Sequence, residues 1–279
     1  MSTGESNLGE TGVAESNNGE TRIVESTKNR GVMTITLADE ENRNALSSDL
    51  IAQLLSAIDA ADADREVRVI VLTNRGRVFC AGADLKAPST RRRGVPTAVD
   101  LFSRFAESPK PFVGRINGHC VAGGMGIAAA MDISVAVDTA KMGFTEVRIG
   151  VAPAMISVLC LPKMRSAEAS EAFLRGNRFL APEAARMGII NAAVPAERLD
   201  GEVDEIVSDL MLGGPQALAA CKALTQKVPT MSREEAFEWT SQLSAELFAS
   251  DEGREGMSAF VEKRPPSWVS DPGTNVGMH

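Results

Sequence analysis

The sequence predicts an α/β protein, with a layered core of parallel strands and helices followed by a wholly helical C-terminal region. Three observations predict it. Between Val67 and Val137, apolar β-like runs alternate with helical patterns, as in strands joined by crossover helices. Two of those runs lead into glycine-rich turns, Cys80-Ala81-Gly82-Ala83-Asp84-Leu85 and Asn117-Gly118 through Gly123-Gly124-Met125-Gly126. After about Pro195 the strand signal stops, and helical patterns occupy 202–212, 215–227, 232–249 and 252–263.

The elements follow in order. Residues 1–20 repeat Glu-Ser-Asn-x-Gly-Glu-Thr, at Glu5 and again at Glu15. Such Ser/Asn/Gly/Glu composition buries too little apolar surface to offset chain entropy, so a disordered, solvated tail is expected, with partner binding as the alternative. Arg22–Glu25 and Val32–Leu37 read as two strands around the turn Lys28-Asn29-Arg30-Gly31. Ser47 or Ser48 then caps a helix whose stripe is Leu50, Ile51, Leu54, Leu55 and Ile58. A strand at 67–73 precedes the first glycine turn, and Ala87–Thr97, with Pro88, Gly94 and Pro96, reads as a loop. A helix over Val99–Glu107 leads to a strand at 112–116 and the second glycine turn. Gly124–Met131 opens a helix, and Ile133–Val137 is a strand. The expected organisation is a tail over 1–20, a core over 21–200, helices over 201–268 and a flexible tail over 269–279. No Pro/Gly/Ser-rich linker divides core from helices, although two domains stay open.

Composition narrows the function classes. The chain has 279 residues, 44% of them apolar, enough for a sizeable core. A net charge of −8 argues against nucleic-acid binding, which needs a basic surface. Local basic patches such as Arg91-Arg92-Arg93 remain either solvated or able to attract phosphates. The longest apolar stretch, Gly126–Val137, contains Asp132 and is too short to span a bilayer. Without a basic, then apolar, N-terminal leader pattern, a soluble cytoplasmic protein is expected. Cys80, Cys120, Cys160 and Cys221 lack metal-ligand spacing and read as buried thiols of a reducing compartment. No metal site is expected.

The two glycine turns carry the chemical signal. Small residues let two backbone N–H groups approach one ligand atom, because no Cβ intervenes. Two such donors stabilise a developing oxyanion, so the pair suggests chemistry at a carbonyl. Gly123-Gly124-Met125-Gly126 matches neither GxGxxG nor a P-loop, which disfavours nucleotide cofactors; a generic strand-to-helix turn is the bland alternative. Glu146 interrupts a mainly apolar stretch, and is either solvated at a strand end or held in a pocket as a general base. Asp84 reads as a turn or cap residue and Asp132 as a satisfied buried carboxylate. His119 reads as a packed imidazole, with ligand contact as the alternative, and His279 ends a polar tail. Two histidines disfavour a His-based triad or metal site.

Together these residues resemble the crotonase, or enoyl-CoA hydratase/isomerase, superfamily. The resemblance spans about Arg22 to Trp268. It rests on seven segments in the family's order, from Asn44-Ala45-Leu46 and Phe79–Leu85 through Ile116–Gly124, Asp132-Ile133, Thr145–Gly150 and Ala185–Val194 to Phe260–Arg264. It implies a crotonase-like spiral of ββα units, a helical C-terminal trimerisation region, and a homotrimer or dimer of trimers. It also implies an acyl-CoA thioester substrate, coenzyme A being part of that substrate and no separate cofactor being needed. By this likeness the N–H groups of Ala83 and Gly123 are the oxyanion donors, and Glu146 is the catalytic carboxylate. CoA contacts would fall on Asn44, Ala45, Ala81, Gly82, Asp84, Leu85, Lys86 and Gly124. Lys263 would reach a CoA phosphate across a subunit boundary.

The departures from the family pattern matter as much. Family hydratases typically use two glutamates; the second matches Glu146, and the first falls on Gly126. The nucleophile position of family dehalogenases falls on Ala154, which disfavours that chemistry. An enoyl-CoA hydratase working with one glutamate is expected, because the stretch Gly150-Val151-Ala152-Pro153-Ala154 resembles the hydratase motif style, although Gly126 suits a one-base isomerase better. A Δ3-Δ2 enoyl-CoA isomerase and a non-catalytic acyl-CoA-binding family member are the alternatives. Met125, Met155, Ile156 and the 87–97 loop are expected to shape the acyl pocket.

Overall fold

The computed structural model describes residues 21–86 and 94–269. The expectations for the 1–20 repeat, for Arg91–Arg93 with most of the 87–97 loop, and for the tail through His279 lie outside the described residues.

Strands β1 (Val24–Asn29) and β2 (Val32–Leu37) form an antiparallel hairpin. Its turn is tighter than the expected four residues. Lys28 and Asn29 still pair with Met33 and Val32, leaving Arg30 and Gly31 to reverse the chain at φ 44° and 80°. Two positive φ values suit the right-handed twist of the flanking strands. Helix α1 (Ser48–Ala63) is capped by Ser47, whose Oγ accepts from the Leu50 N–H at 3.2 Å. Its stripe buries Leu50, Ile51, Leu54 and Ile58, while Leu55 packs at the margin.

The unit strand–strand–helix then repeats. β3 (Val69–Asn74), β4 (Val78–Cys80) and α2 (Ala98–Glu107) form the next turn of the spiral. β5 (Phe112–Ile116), β6 (His119–Val121) and α3 (Gly123–Ala130) form the third. β7 (Ile133–Val137), β8 (Lys141–Gly143), a 3-10 turn over Glu146–Ile149 and α4 (Ala154–Cys160) form the fourth. Next come α5 (Ser166–Arg175), β9 (Phe179–Leu180), α6 (Ala181–Arg186) and β10 (Ala192–Val194).

Two sheets result, in the orders β1-β2-β3-β5-β7-β10 and β4-β6-β8-β9. Their inner pairings are parallel; only the edge pairs β1–β2 and β8–β9 are antiparallel. The smaller sheet is absent from the sequence reading. Its strands are two or three residues long, too short for an alternation pattern to register. The glycine turns therefore follow β4 and β6 rather than the long strands 67–73 and 112–116.

One core fills the space between sheets and helices, with Phe79, Phe105, Phe112 and Phe144 fully enclosed. Each such side chain contributes about 1.5–3 kcal/mol by leaving water. The C-terminal helices are α7 (Ala196–Leu212), α8 (Pro215–Lys227), α9 (Arg233–Ala249) and α10 (Asp251–Glu262). The expected boundary at 200/201 falls inside α7, because Pro195 starts the helix earlier. α7 packs on β5 and β7, so the helical region begins as a layer of the core. Among the described residues no helix is long and apolar enough to cross a membrane.

Candidate active site

Three main-chain segments converge where the smaller sheet ends. The Leu46 N–H donates to the Gly82 carbonyl at 2.7 Å, and Leu46 bridges Ala83 in parallel register. The Ala81 N–H donates to the Arg43 carbonyl at 3.2 Å. Gly82 and Gly123 touch: a Cβ on Gly82 would lie 3.1 Å from the Gly123 nitrogen, and one on Gly123 would lie 3.3 Å from the Gly82 Cα and 3.6 Å from the Ala83 nitrogen. Glycine is needed at both positions for this approach. Gly82 also sits at φ 91°, a conformation that side chains rarely adopt.

The second donor is aimed by strain. Ala122 caps α3 at φ 52°, ψ −123°, which places the next amide, that of Gly123, at the head of the helix. The position is held from both sides: the Ala122 N–H donates to the Gly143 carbonyl at 2.9 Å, and its own carbonyl accepts from the Met125 N–H at 2.8 Å. Such a backbone costs about 1–3 kcal/mol and persists only where its surroundings impose it. Among the described residues neither the Ala83 nor the Gly123 N–H is committed to a loop carbonyl or a side chain. Ala83 is exposed and Gly123 half-buried, so a ligand oxygen can reach both. The helix end adds its positive field to theirs.

The candidate CoA-contacting residues divide by role. The Asn44 side chain is wholly buried at φ 51°; it donates to the Val78 carbonyl at 2.8 Å and accepts from the Asp39 N–H at 2.8 Å. Asn44 and Ala45 thus build the scaffold, while the half-buried Leu46 side chain reaches the second turn, where a Cβ on Gly123 would lie 2.9 Å from its Cδ1. Asp84 accepts from the Lys86 N–H at 2.9 Å and from Asn42, a turn cap as its type suggests. Leu85, at 75% exposure, and Lys86 stand on the rim. Gly124 is a packing position: a Cβ would meet the Cys80 carbonyl oxygen at 2.6 Å and Cys120 Sγ at 3.2 Å. Cys80 Sγ in turn accepts the Gly82 N–H at 3.5 Å, a support for the first turn that no spacing in the sequence signals.

Lys263 is the outlier. It ends α10 at φ 55°, and the chain beyond it is pinned where the Arg68 guanidinium donates to the Trp268 carbonyl at 2.7 Å. Arg68 precedes β3, whereas Ala83 is tied through Asn44 to Arg75 and Val78 beyond the strand's other end. Among the described residues no hydrogen bond or ion pair joins Lys263 to the glycine turns.

Glu146 opens the 3-10 turn three residues after the Gly143 carbonyl that anchors Ala122. Its carboxylate is half-buried, and Oε2 is enclosed with no hydrogen-bond partner among the described residues. Burial pushes its pKa above the ordinary carboxylate value, with its own amide partly opposing. A buried oxygen left unsatisfied costs stability and stays available to a ligand proton. Glu146 also helps raise the Cys160 thiol, which burial holds at about 12. Cys160 donates weakly to the Met125 carbonyl, so Glu146 belongs to the neighbourhood of α3 and α4.

Gly126 is not simply a vacant glutamate position. A Cβ there would lie 2.4 Å from Ile156 Cγ2 and 2.9 Å from Phe102 Cζ. Apolar side chains occupy the space that a carboxylate would need. Of the expected pocket formers, Met125 and Ile156 are buried and Met155 is exposed. Ala154 starts α4 at the surface. His119 accepts from the Lys141 N–H through Nδ1 at 3.0 Å, and burial lowers its pKa, which fits a structural imidazole. Asp132 accepts from the Phe112 N–H at 2.8 Å and pairs with Lys222 at 3.0 Å, a satisfied carboxylate.

A spiral of ββα units, with its two glycine turns meeting at the head of α3, is the crotonase architecture. The family described as enoyl-CoA hydratase/isomerase matches residues 27–271, and the chain belongs to it. A provisionally named enoyl-CoA hydratase of Thermus thermophilus is 35% identical over 244 residues, 84% of this chain and 96% of that one. Enoyl-CoA hydratase EchA19 of Mycobacterium tuberculosis is 31% identical over 245 residues, 85% and 92% of the two chains. Among solved structures, an enoyl-CoA hydratase of Mycobacterium smegmatis superposes with a TM-score of 0.81 at 28% identity, covering 89% of this chain and 99% of that one. Human enoyl-CoA hydratase domain-containing protein 3 gives 0.82 at 26% identity, covering 88% and 100%.

Proposed function

We propose that this chain is an enoyl-CoA hydratase that adds water to a 2-enoyl-CoA with one carboxylate. The carrying observation is the unpartnered, buried Oε2 of Glu146. Its raised pKa brings the group nearer to neutrality, where a general base and its conjugate acid are both accessible. Glu146 takes a proton from water as the hydroxyl adds to C3. The electron pair moves to the thioester oxygen, which the Ala83 and Gly123 N–H groups hold as an enolate. The same carboxyl then returns the proton to C2, so the elements of water are added and nothing else is consumed. Coenzyme A is part of the substrate, and its contacts fall on the main chain of Asn44–Leu46 and Ala81–Lys86.

A homotrimer, single or paired, suits the helical end of the chain. α9 buries no side chain within one protomer, and Phe237 and Phe248 stand 70% and 66% exposed on it. In such an assembly Lys263 serves a neighbour's CoA phosphate. Free Cys80, Cys120 and Cys160 suit a reducing cytoplasm.

The packing of Gly126 favours a second reading, a Δ3-Δ2 enoyl-CoA isomerase. One base suffices there, taking a proton from C2 and returning it at C4. Crotonyl-CoA and a 3-enoyl-CoA, supplied separately, decide between them. Hydration removes the enoyl absorbance of crotonyl-CoA; isomerisation creates that absorbance from the 3-enoyl substrate. Glu146→Gln is expected to cost about 10²–10⁴-fold in kcat while leaving CoA-thioester binding in place. Tight binding with neither turnover would identify a non-catalytic acyl-CoA binder and overturn both readings.

A further inference from the structure

Three buried free thiols support the two glycine turns, and the proposed reaction uses none of them. Two belong to the second turn. Cys120 Sγ packs beside Gly124, where a Cβ would lie 3.2 Å away, and Cys160 donates weakly to the Met125 carbonyl at 3.8 Å. Cys80 ends β4 and belongs to the first turn. It is wholly buried, and burial pushes its pKa up to about 12, so it stays a neutral thiol with a sulfur that can accept a hydrogen bond. Among the described residues that sulfur accepts one, from the Gly82 N–H at 3.5 Å.

The first turn is held peptide by peptide. The Ala81 N–H donates to the Arg43 carbonyl at 3.2 Å, and the Gly82 carbonyl accepts from the Leu46 N–H at 2.7 Å. Between them lies the Ala81–Gly82 peptide, whose N–H has the Cys80 sulfur as its partner. In a trans peptide the N–H points opposite to the C=O, so the Leu46 bond turns the Ala83 N–H away from Leu46. That direction lasts only while both peptides flanking Gly82 stay fixed. Gly82, at φ 91°, has no side chain to resist their rotation. Without the sulfur, the Gly82 N–H becomes a buried donor without a partner, which is costly. A rotation that relieves it swings the Ala83 amide as well.

We propose that Cys80 is a positioning residue of the oxyanion hole, its sulfur holding the Ala83 amide on the thioester oxygen through the Gly82 N–H. This rests on the oxyanion reading above and holds for hydratase and isomerase alike. The readout is the carbonyl stretch of carbonyl-labelled butyryl-CoA, a saturated thioester that neither reaction consumes, bound at saturation to the full-length protein. Infrared difference spectra of labelled and unlabelled ligand isolate that band, and hydrogen bonds from two amides lower it relative to the free thioester. Cys80→Ser and Cys80→Ala leave nearly the same space, but only serine keeps an acceptor. The serine variant is expected to keep more than half of the wild-type shift and the alanine variant less than half. In the alanine variant kcat is expected to fall about tenfold with KM within about twofold, since a misplacement of ~1 Å can cost about 10²-fold. Should that variant not fold, Cys80→Val, which restores volume without an acceptor, takes its place. If the serine variant keeps no more of the shift than the alanine or valine variant, Cys80 only packs and the proposal falls, while a lowered wild-type stretch still upholds the oxyanion reading. A wild-type stretch equal to that of free butyryl-CoA overturns that reading and takes the proposal with it.

Discussion

Replacing Gly126 by alanine puts a methyl group where the structure has no room. Its carbon would lie 2.4 Å from Ile156 Cγ2 and 2.9 Å from Phe102 Cζ, far inside van der Waals contact. Overpacking of this kind costs about 1–3 kcal/mol. Alanine recovers about 0.5–1 kcal/mol through its better helix propensity, so a net loss of about 1–2 kcal/mol is expected. Ile156→Ala alone leaves a void beside a residue that is 3% exposed, at a cost of about 2–5 kcal/mol. Combined, the alanine at 126 occupies part of that void and its worst contact, with Ile156 Cγ2, disappears, while those with Phe102 Cζ at 2.9 Å and the retained Cβ at 156 at 3.1 Å are left to relax. The double variant is therefore expected to be about 1–2 kcal/mol more stable than the sum of the singles. Urea denaturation of all four proteins, at one chain concentration because subunit association shifts apparent stability, gives the coupling. Additivity within about 0.5 kcal/mol, or a stabilising Gly126→Ala, would refute the packing argument. By the same reasoning Gly126→Glu disrupts the α3–α4 contact before it can supply a second acid.

Three further outcomes follow from two residues, Glu146 and Asn44. Because burial raises the Glu146 pKa, kcat/KM is expected to fall on the acid side at a pH above the ordinary carboxylate range, about tenfold per unit; an acid limb centred at or below 4.5 would contradict it. The stability sign is the reverse of a paired carboxylate's: the folded protein is favoured at low pH, and that advantage is lost as pH rises from the ordinary value through the raised one. Glu146→Gln should therefore melt higher than the wild type at neutral pH, and the gap should close on acidification. Asn44→Ala removes two buried hydrogen bonds at 2.8 Å and strands the partners, for an expected loss of about 2–4 kcal/mol in chemical denaturation. Asn44→Asp keeps the acceptor but turns a carboxylate oxygen against the Val78 and Arg75 carbonyls at a wholly buried position, so it should lose at least as much; a smaller loss would show that the Asn44 amide donor is irrelevant.

Much of the site was legible in the chain. Glycines flanked by apolar runs mark places where backbone must approach backbone, and the pairs Gly82–Gly123 and Gly124–Cys80 meet as that logic requires. Glu146 stood out because a charge in an apolar stretch needs a reason, and its enclosed Oε2 supplies one. Asp132 and His119 were readable as structural because each sits among groups that can satisfy it. The smaller sheet escaped because two- and three-residue strands carry no periodicity. Ala122 escaped for a different reason: nothing in an alanine's identity announces a positive φ, and the conformation is imposed by Gly143 on one side and Met125 on the other.

The division between sequence and tertiary structure runs along the range of the forces involved. Hydrophobic periodicity, caps and glycine chemistry act over a few residues, so the order of helices and long strands, the two glycine turns and the candidate carboxylate Glu146 follow from the chain alone. Whether Gly126 is a lost acid or a packing requirement does not, because Ile156 and Phe102 lie 30 residues ahead and 24 behind in the chain and meet it only across the α2–α3–α4 contact. The same holds for Glu146: sequence identifies the residue, but only its tertiary neighbours withhold a hydrogen bond from Oε2 and raise its proton affinity.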